Sequence, residues 1–175
     1  STTDFLAKLT SKIQVRYLPP KDAIIKSVDK KKFSSYVHKS PYKFLSSYNE
    51  QDVDLFFGRD PDITRVIQKL LSSKLMILYG KSGFGKTSLL CAGIIPRLAQ
   101  ADYLPVYARC ARDPLHSVKI NMIDRIRQLN EYNSEEIATK LQNLINLSLP
   151  YFVREFKKFE KRPLVVFIDQ FEEFF

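Results

Sequence analysis

The fold is decided by the stretch Gly80-Lys81-Ser82-Gly83-Phe84-Gly85-Lys86-Thr87. Its spacing, G-x-x-x-x-G-K-[ST], is typical of a loop that surrounds phosphate groups. We expect Lys86 to place its charge on the β- and γ-phosphates and the Thr87 hydroxyl to bind Mg²⁺. The predicted nucleotide-binding set comprises Gly80, Lys81, Ser82, Gly83, Phe84, Gly85, Lys86, Thr87 and Ser88.

The residues on either side of this loop predict a strand and a helix. The apolar run 74–79 is typical of a buried strand, and a helix is expected from about Lys86 to Ala99. The N–H groups and the dipole at the start of such a helix favour an anion. Gly80, Gly83 and Gly85 can take backbone angles closed to other residues and let the chain approach the phosphates closely.

Further strands and helices alternate along the rest of the chain. Apolar runs predict a second strand over 103–109 and a third over 164–168. Helical spacing and capping residues predict a helix that begins at Pro61, directly after Asp60, and further helices over 115–129, 134–147 and 151–160. This order predicts an α/β fold with a parallel sheet of about three strands flanked by helices. A mainly helical segment is expected before a domain start near residue 41.

The third predicted strand ends in an acid. Asp169 follows Ile168, and an acid there lies at the carboxyl edge of a parallel sheet, where ligands of α/β proteins bind. We expect Asp169 to hold Mg²⁺ opposite Thr87. Hydrolysis also needs a group that orients the attacking water, and Gln170 cannot act as a general base. Glu172 and Glu173 are the candidates for this role, and we prefer Glu173.

Composition and charge exclude several classes of protein. The sequence has no uninterrupted apolar run of about 18–20 residues, so a membrane span is not expected. Two cysteines cannot form a disulfide framework or a four-ligand zinc site, which favours a reducing, cytoplasmic setting. The net charge is 28 − 19 = +9, and residues 1–50 carry 10 − 4 = +6 of it. Nucleic acid is one partner for this charge, but a solvated linker is the preferred interpretation because no nucleic-acid motif accompanies the lysines.

Four passages resemble the STAND class of signal-transducing P-loop ATPases, in particular the bacterial novel STAND branch, which is close to NACHT ATPases. They are Pro41-Tyr42-Lys43-Phe44-Leu45 with Asp54-Leu55-Phe56-Phe57-Gly58-Arg59-Asp60; the phosphate loop with its continuation to Leu98; Asp113-Pro114-Leu115; and Ile168-Asp169-Gln170-Phe171-Glu172-Glu173-Phe174-Phe175. The resemblance covers about residues 41–175, which would be the first half of a STAND P-loop NTPase domain. Residues 1–40 would be a basic N-terminal segment or a linker from an effector.

The resemblance implies more than the residues do by themselves. Phe57, Gly58 and Arg59 would lie against the adenine base, which implies ATP rather than GTP, and Glu172 and Glu173 match the acids of NACHT-like proteins. Proteins of this class are switches: nucleotide state controls oligomerisation, a C-terminal sensor detects a ligand such as a viral protein, and an N-terminal effector is activated. Antiviral defence is their commonest setting. Sensor and effector would belong to a longer chain.

Two other functions remain open from the sequence. A DNA-handling AAA+ ATPase shares the box around Arg59 and the phosphate loop, although it usually has Glu where this chain has Gln170. A nucleotide-binding scaffold without turnover would need the loop but no catalytic acid. The interpretation that we carry forward is a module that binds ATP or ADP with Mg²⁺ and hydrolyses ATP slowly. Its catalytic residues are expected to be Asp169, Lys86, Glu172 and Glu173.

Overall fold

A computed structural model of the protein describes residues 42–44, 46–110, 113–129 and 134–171. The predicted N-terminal segment 1–40, Arg112, Glu172 and Glu173 lie outside the described residues. The chain divides into two compact units, one up to Asp102 and one from Tyr103 onward. Each unit is described by itself below.

The described part of the first unit is helical. A 3₁₀ helix covers Glu50–Leu55 and helix α1 covers Asp60–Ser72, with Pro61 in its first turn, as the sequence predicts. After the phosphate loop, a continuous helical stretch consists of α2 (Lys86–Ser88), a π-helix (Leu89–Ile94) and α3 (Ile95–Gln100). The most deeply buried apolar residues of this unit are Ile63, Ala92, Ile94, Ile95 and Leu98.

The predicted strand over 74–79 is wrong. Residues 75–80 form neither a helix nor a strand, and Leu75, Ile77 and Tyr79 are 46%, 73% and 89% exposed. A strand exists only through hydrogen bonds to a neighbouring strand, and the described part of the first unit contains no other. The apolar pattern therefore identifies a segment able to form a strand, but the burial that it predicts is absent.

The second unit contains a parallel sheet of two strands. Strand β1 covers Leu104–Arg109 and β2 covers Leu164–Asp169, and they pair from Leu104 opposite Leu164 to Arg109 opposite Asp169. The pairing continues beyond both ends, because Leu104 N–H donates to the Pro163 carbonyl at 2.8 Å and Cys110 N–H to the Asp169 carbonyl at 2.7 Å. The second and third predicted strands are therefore confirmed. The described residues contain a parallel α/β arrangement with two strands instead of the expected three.

Three helices of the second unit pack around this sheet. They are α4 (Pro114–Gln128), α5 (Ser134–Gln142) and α6 (Leu149–Phe159). All three are predicted by the sequence, but α5 ends earlier than expected because residues 143–146 form turns. The hydrophobic core of the second unit includes Val106, Met122, Leu141, Phe152 and Phe156. This packing fixes β1 and β2, and with them the acid at the end of β2.

Candidate nucleotide-binding site

Two of the three glycines in the phosphate loop have a left-handed backbone conformation. Gly83 and Gly85 have φ of +80° and +72°, in the left-handed region that favours glycine, whereas Gly80 does not. Gly85 is the residue before α2, and its carbonyl accepts a hydrogen bond from Leu89 N–H at 2.8 Å. Gly83 and Gly85 therefore use the backbone freedom that glycine allows, whereas Gly80 does not need it.

Lys86 lies over the loop that precedes it. Its Nζ donates to the carbonyl oxygens of Gly80 at 2.7 Å and Lys81 at 3.2 Å. An ammonium group has three donor hydrogens and no acceptor, so it can exchange carbonyl oxygens for phosphate oxygens of greater negative charge. The side chain is thus placed at the mouth of the loop by contacts that an anion can replace.

A cavity of about 490 Å³ opens at this loop. Its volume is within the range of ordinary small-molecule sites. The lining residues come from the residue before α1, the segment 75–80, the loop and the following helices: Arg59, Leu78, Tyr79, Gly80, Gly83, Phe84, Gly85, Lys86 and Leu89. Two cationic side chains, apolar surfaces and the left-handed glycines therefore share one cavity of the first unit.

The box Phe57-Gly58-Arg59 lies next to the phosphate loop. Arg59 Nη1 donates to the Phe84 carbonyl at 3.4 Å, and Arg59 Nε forms a 2.7 Å ion pair with Asp62. Gly58 has φ of +80°, and the ring of Phe57 is 71% exposed. The structure therefore brings Arg59 to the cavity and leaves Phe57 with an exposed aromatic face. Arg59's contact with the loop is a feature that the sequence interpretation, which assigned the box to the adenine base, did not contain.

Ser88 is held by the segment that precedes α1. Its Oγ is buried and accepts a hydrogen bond from Tyr48 N–H at 3.1 Å, while Thr87 beside it is half-buried. The ring of Tyr48 contacts that of Phe56, with centroids 5.5 Å apart. Ser88 thereby links the start of the loop's helix to the residues before it, and its predicted role in binding stays a prediction.

A buried acid organises that preceding segment. Asp52 is 3% exposed, pairs with Lys43 Nζ and accepts from Asn49 N–H at 2.9 Å, while Asn49 Oδ1 accepts from Gln51 N–H at 2.9 Å. Together these contacts form a capping box at the start of the 3₁₀ helix. The sequence interpretation missed this cluster, although the spacing of Asn49 and Asp52 is a signal that could have found it.

The helical stretch after the loop contains a π-helix next to a close contact. A Cβ added to Gly93 would lie 2.9 Å from Ile63 Cδ1 and Cγ1, so the π-helix and α1 touch where a larger residue would not fit. Arg97 donates to the Gly93 carbonyl at 2.8 Å and to Asp60 Oδ1 at 2.7 Å. Pro96 has no N–H to continue the ordinary helical ladder. These contacts fix the loop's helix against α1, which begins one residue after Arg59.

The predicted acid, Asp169, ends β2 in the second unit. Its Oδ2 accepts from the Tyr107 phenol at 2.7 Å, and its Oδ1 accepts from Gln170 N–H at 3.0 Å. Gln170 has φ of +56°, which is uncommon for a residue other than glycine, and its buried Oε1 has no hydrogen-bond partner within the described residues. Arg109, opposite Asp169 in the sheet, is exposed. Tyr107 is a further residue that sequence reasoning missed.

Thr87 in the first unit and Asp169 in the second each offer a hard oxygen atom of the kind that Mg²⁺ prefers. Protein sites for Mg²⁺ commonly supply one or two such ligands while phosphates and water supply the others. Among the residues that the structure describes, no group of three or more His, Cys, Asp and Glu side chains could hold a metal. No helix within the described ranges is long and apolar enough to cross a membrane.

Comparison with known proteins gives one match. The family model described as nSTAND1, Novel STAND NTPase 1, matches residues 41–175. No curated protein and no solved structure matches the chain. The matched range includes the phosphate loop, the box around Arg59 and Asp169.

Proposed function

The chain belongs to the Novel STAND NTPase 1 family, and from this membership we propose that it is the ATP-binding module of a STAND switch with a P-loop NTPase fold. The family suggests a nucleotide-binding NTPase module. The observation that carries the proposal is the cavity in which Lys86, Arg59 and the left-handed Gly83 and Gly85 lie together. Polyphosphate has the charge and the shape that this combination of donors and open backbone accommodates.

The proposed binding mode assigns one part of the nucleotide to each group of residues. Residues 80–88 surround the phosphates, with Lys86 moving its hydrogen bonds from the Gly80 and Lys81 carbonyls to phosphate oxygens. The exposed ring of Phe57 covers the adenine base, and Gly58 gives the turn that this needs. Arg59, through its contact with the Phe84 carbonyl, holds the loop in shape.

We propose that Thr87 Oγ1 and Asp169 supply the protein oxygens for Mg²⁺. The ion would neutralise negative charge on the phosphates when it is bound. Asp169 is suited to this role because hydrogen bonds hold both of its carboxylate oxygens in place. Glu173, with Glu172 as the alternative, would orient the attacking water and accept its proton.

The experiment that tests nucleotide binding compares the melting temperature of wild type and Lys86→Ala with and without ATP·Mg²⁺. A ligand at about 100 times its Kd stabilises the folded state by about 2.7 kcal/mol, so the wild type should melt at a clearly higher temperature with ATP. Lys86→Ala should lose this shift. The matched control is Lys74→Ala, which removes an exposed lysine shortly before the loop and should keep the shift. Equal shifts in wild type and Lys86→Ala would contradict the assignment.

Turnover is tested separately from binding. Steady phosphate release should be slow in wild type and lower in Glu173→Gln, with Glu172→Gln affected less. A chain that binds ATP but releases no phosphate would be the nucleotide-binding scaffold instead, which Gln170 favours because its amide cannot act as a base. Unchanged rates in both Glu variants would remove these residues from the mechanism.

The wider proposal follows the family resemblance. Nucleotide state would control oligomerisation and the activation of an effector outside residues 41–175, with antiviral defence as the setting. Size-exclusion chromatography of the full-length protein with ADP and with a non-hydrolysable ATP analogue tests this. A larger assembly with the ATP analogue supports the switch, and identical profiles in both nucleotides with the sensed ligand present would contradict it.

A further inference from the structure

Strand β1 brings a phenol to the acid at the end of β2. Tyr107 lies opposite Phe167 in the parallel register, two positions before the pair of Arg109 and Asp169. At this diagonal distance a long aromatic side chain can reach across the sheet. The Tyr107 hydroxyl does so and donates to Asp169 Oδ2 at 2.7 Å, which is an ordinary distance for a hydrogen bond from a hydroxyl to a carboxylate.

The second oxygen and the backbone of Asp169 are held as well. Gln170 N–H donates to Oδ1 at 3.0 Å, and the main-chain carbonyl of Asp169 accepts from Cys110 N–H at 2.7 Å. With a donor on each carboxylate oxygen, the group cannot rotate about its last bond without losing both contacts. An ionised carboxylate can accept at about four positions, so a carboxylate held in this way can still take a cation or a cation-bound water.

We propose that Tyr107 is a positioning residue for Asp169, and that it sets the Mg²⁺ affinity of the nucleotide complex. This inference rests on the proposed function, because it takes Asp169 as the acid that serves the metal. Hydrogen-bond partners of a metal-ligating carboxylate orient it before the ion arrives, and their removal typically costs 10–100-fold in metal affinity or activity. Gln170 N–H restrains Oδ1 from the backbone, and the Tyr107 phenol restrains Oδ2 from a side chain.

The same protein contains a matched control for the loss of a phenol. Tyr103 immediately precedes β1, is 2% exposed, and its hydroxyl has no hydrogen-bond partner within the described residues. Burial raises the pKa of Tyr103, which keeps this phenol neutral. Tyr103→Phe and Tyr107→Phe therefore each remove one phenolic hydroxyl, at positions four residues apart in the sequence. Only Tyr107→Phe removes a donor to Asp169.

The test is a magnesium titration of ATP binding that does not depend on turnover. A fluorescent ATP analogue is bound to wild type, Tyr107→Phe, Tyr103→Phe, Asp169→Asn and Lys86→Ala, first in EDTA and then with increasing MgCl₂. Tyr107→Phe should need about tenfold more Mg²⁺ for half-saturation, while its affinity for the analogue in EDTA equals that of wild type. Tyr103→Phe should follow wild type throughout, and Asp169→Asn should lose most of the magnesium effect.

The outcomes separate this inference from the function on which it rests. If Asp169→Asn loses the magnesium effect but Tyr107→Phe titrates like wild type, the positioning role is overturned and the nucleotide site stands. A lower unfolding midpoint of nucleotide-free Tyr107→Phe with unchanged half-saturation would likewise overturn it, because the bond would then serve stability alone. No binding by wild type, or equal binding by Lys86→Ala, would overturn the proposed function and this inference with it.

Discussion

The segment 75–79 and strand β2 have similar sequences and different environments. Each is a short apolar run that leads into a residue of the candidate site, the phosphate loop in one case and Asp169 in the other. Strand β2 pairs with β1 along its whole length, and Phe167 is only 7% exposed. In the segment 75–79 the side chains of Ile77 and Tyr79 face solvent. Apolar composition therefore indicates that a segment can form a strand, while a partner in the same unit decides whether it does.

The largest expected effect tests this difference directly. Phe167→Ala should lower the free energy of unfolding by about 3–5 kcal/mol, because it removes a buried ring from the packed sheet. Tyr79→Ala should change it by less than about 0.5 kcal/mol, because the ring is 89% exposed. Urea denaturation of both variants and wild type measures the two values. A loss of several kcal/mol in Tyr79→Ala would mean that this segment is packed like β2, and the comparison would fail.

The two regions also differ in how much of them the sequence predicts. Within the described residues, α1, α4, α5, α6 and both strands follow from apolar spacing, capping residues and strand-ending polar residues, since their partners lie nearby in the chain or in the same sheet. The single helix expected over about 86–99 is instead α2, a π-helix and α3 in succession. The strand over 74–79 could not be judged from its own residues, because pairing is a property of two segments. The prediction fails at this point for a physical reason, and the error does not extend to the glycine loop that follows.

Within the candidate site, motif residues were predictable and their supporting contacts were not. The spacing of Gly83, Gly85 and Lys86 identifies the loop without any knowledge of the fold. Tyr107 and Arg59 acquire their contacts with Asp169 and Phe84 only through the sheet register and the turn at Gly58. A sequence motif encodes the atoms that meet a ligand, whereas the residues that hold those atoms are set by tertiary structure.

A smaller effect sharpens the comparison inside the phosphate loop. Gly85→Ala should cost about 1–2 kcal/mol of stability in the absence of nucleotide, because a side chain at φ of +72° is strained. Gly80→Ala should change stability by less than about 0.5 kcal/mol, since the nearest atoms to an added Cβ are 3.9 Å and 4.0 Å away and φ is ordinary. Urea denaturation of the two variants gives both values. Equal costs would contradict the distinction between the glycines.

The smallest effect concerns the residues between α6 and β2 in the second unit. Glu160, at the end of α6, pairs with Arg162 at 2.6 Å and also accepts from Arg162 N–H at 2.8 Å. Burial by itself would raise the pKa of Glu160, but the hydrogen bonds and the charge of Arg162 outweigh it and lower the pKa below the ordinary value of 4.5. The folded state therefore binds fewer protons than the unfolded state between these two pKa values, and stability rises with pH there.

It follows that the stabilisation from Glu160 is present at neutral pH and is lost as the pH falls below 4.5 through the lowered pKa. Glu160→Gln should be less stable than wild type at pH 7, and the two proteins should converge in acid, as measured by urea denaturation across this range. Glu136→Gln is the matched control: hydrogen bonding to Lys140 lowers the pKa of Glu136, but the group is fully exposed and solvent screens the pair. If the control has as steep a pH dependence as Glu160→Gln, the claim that the ion pair of the buried Glu160 stabilises the residues before β2 is contradicted. If only Glu160→Gln differs from wild type in its pH dependence, the ion pair of Glu160 holds the residues before β2. The residues before the phosphate loop, Lys74 and Leu75, are exposed instead.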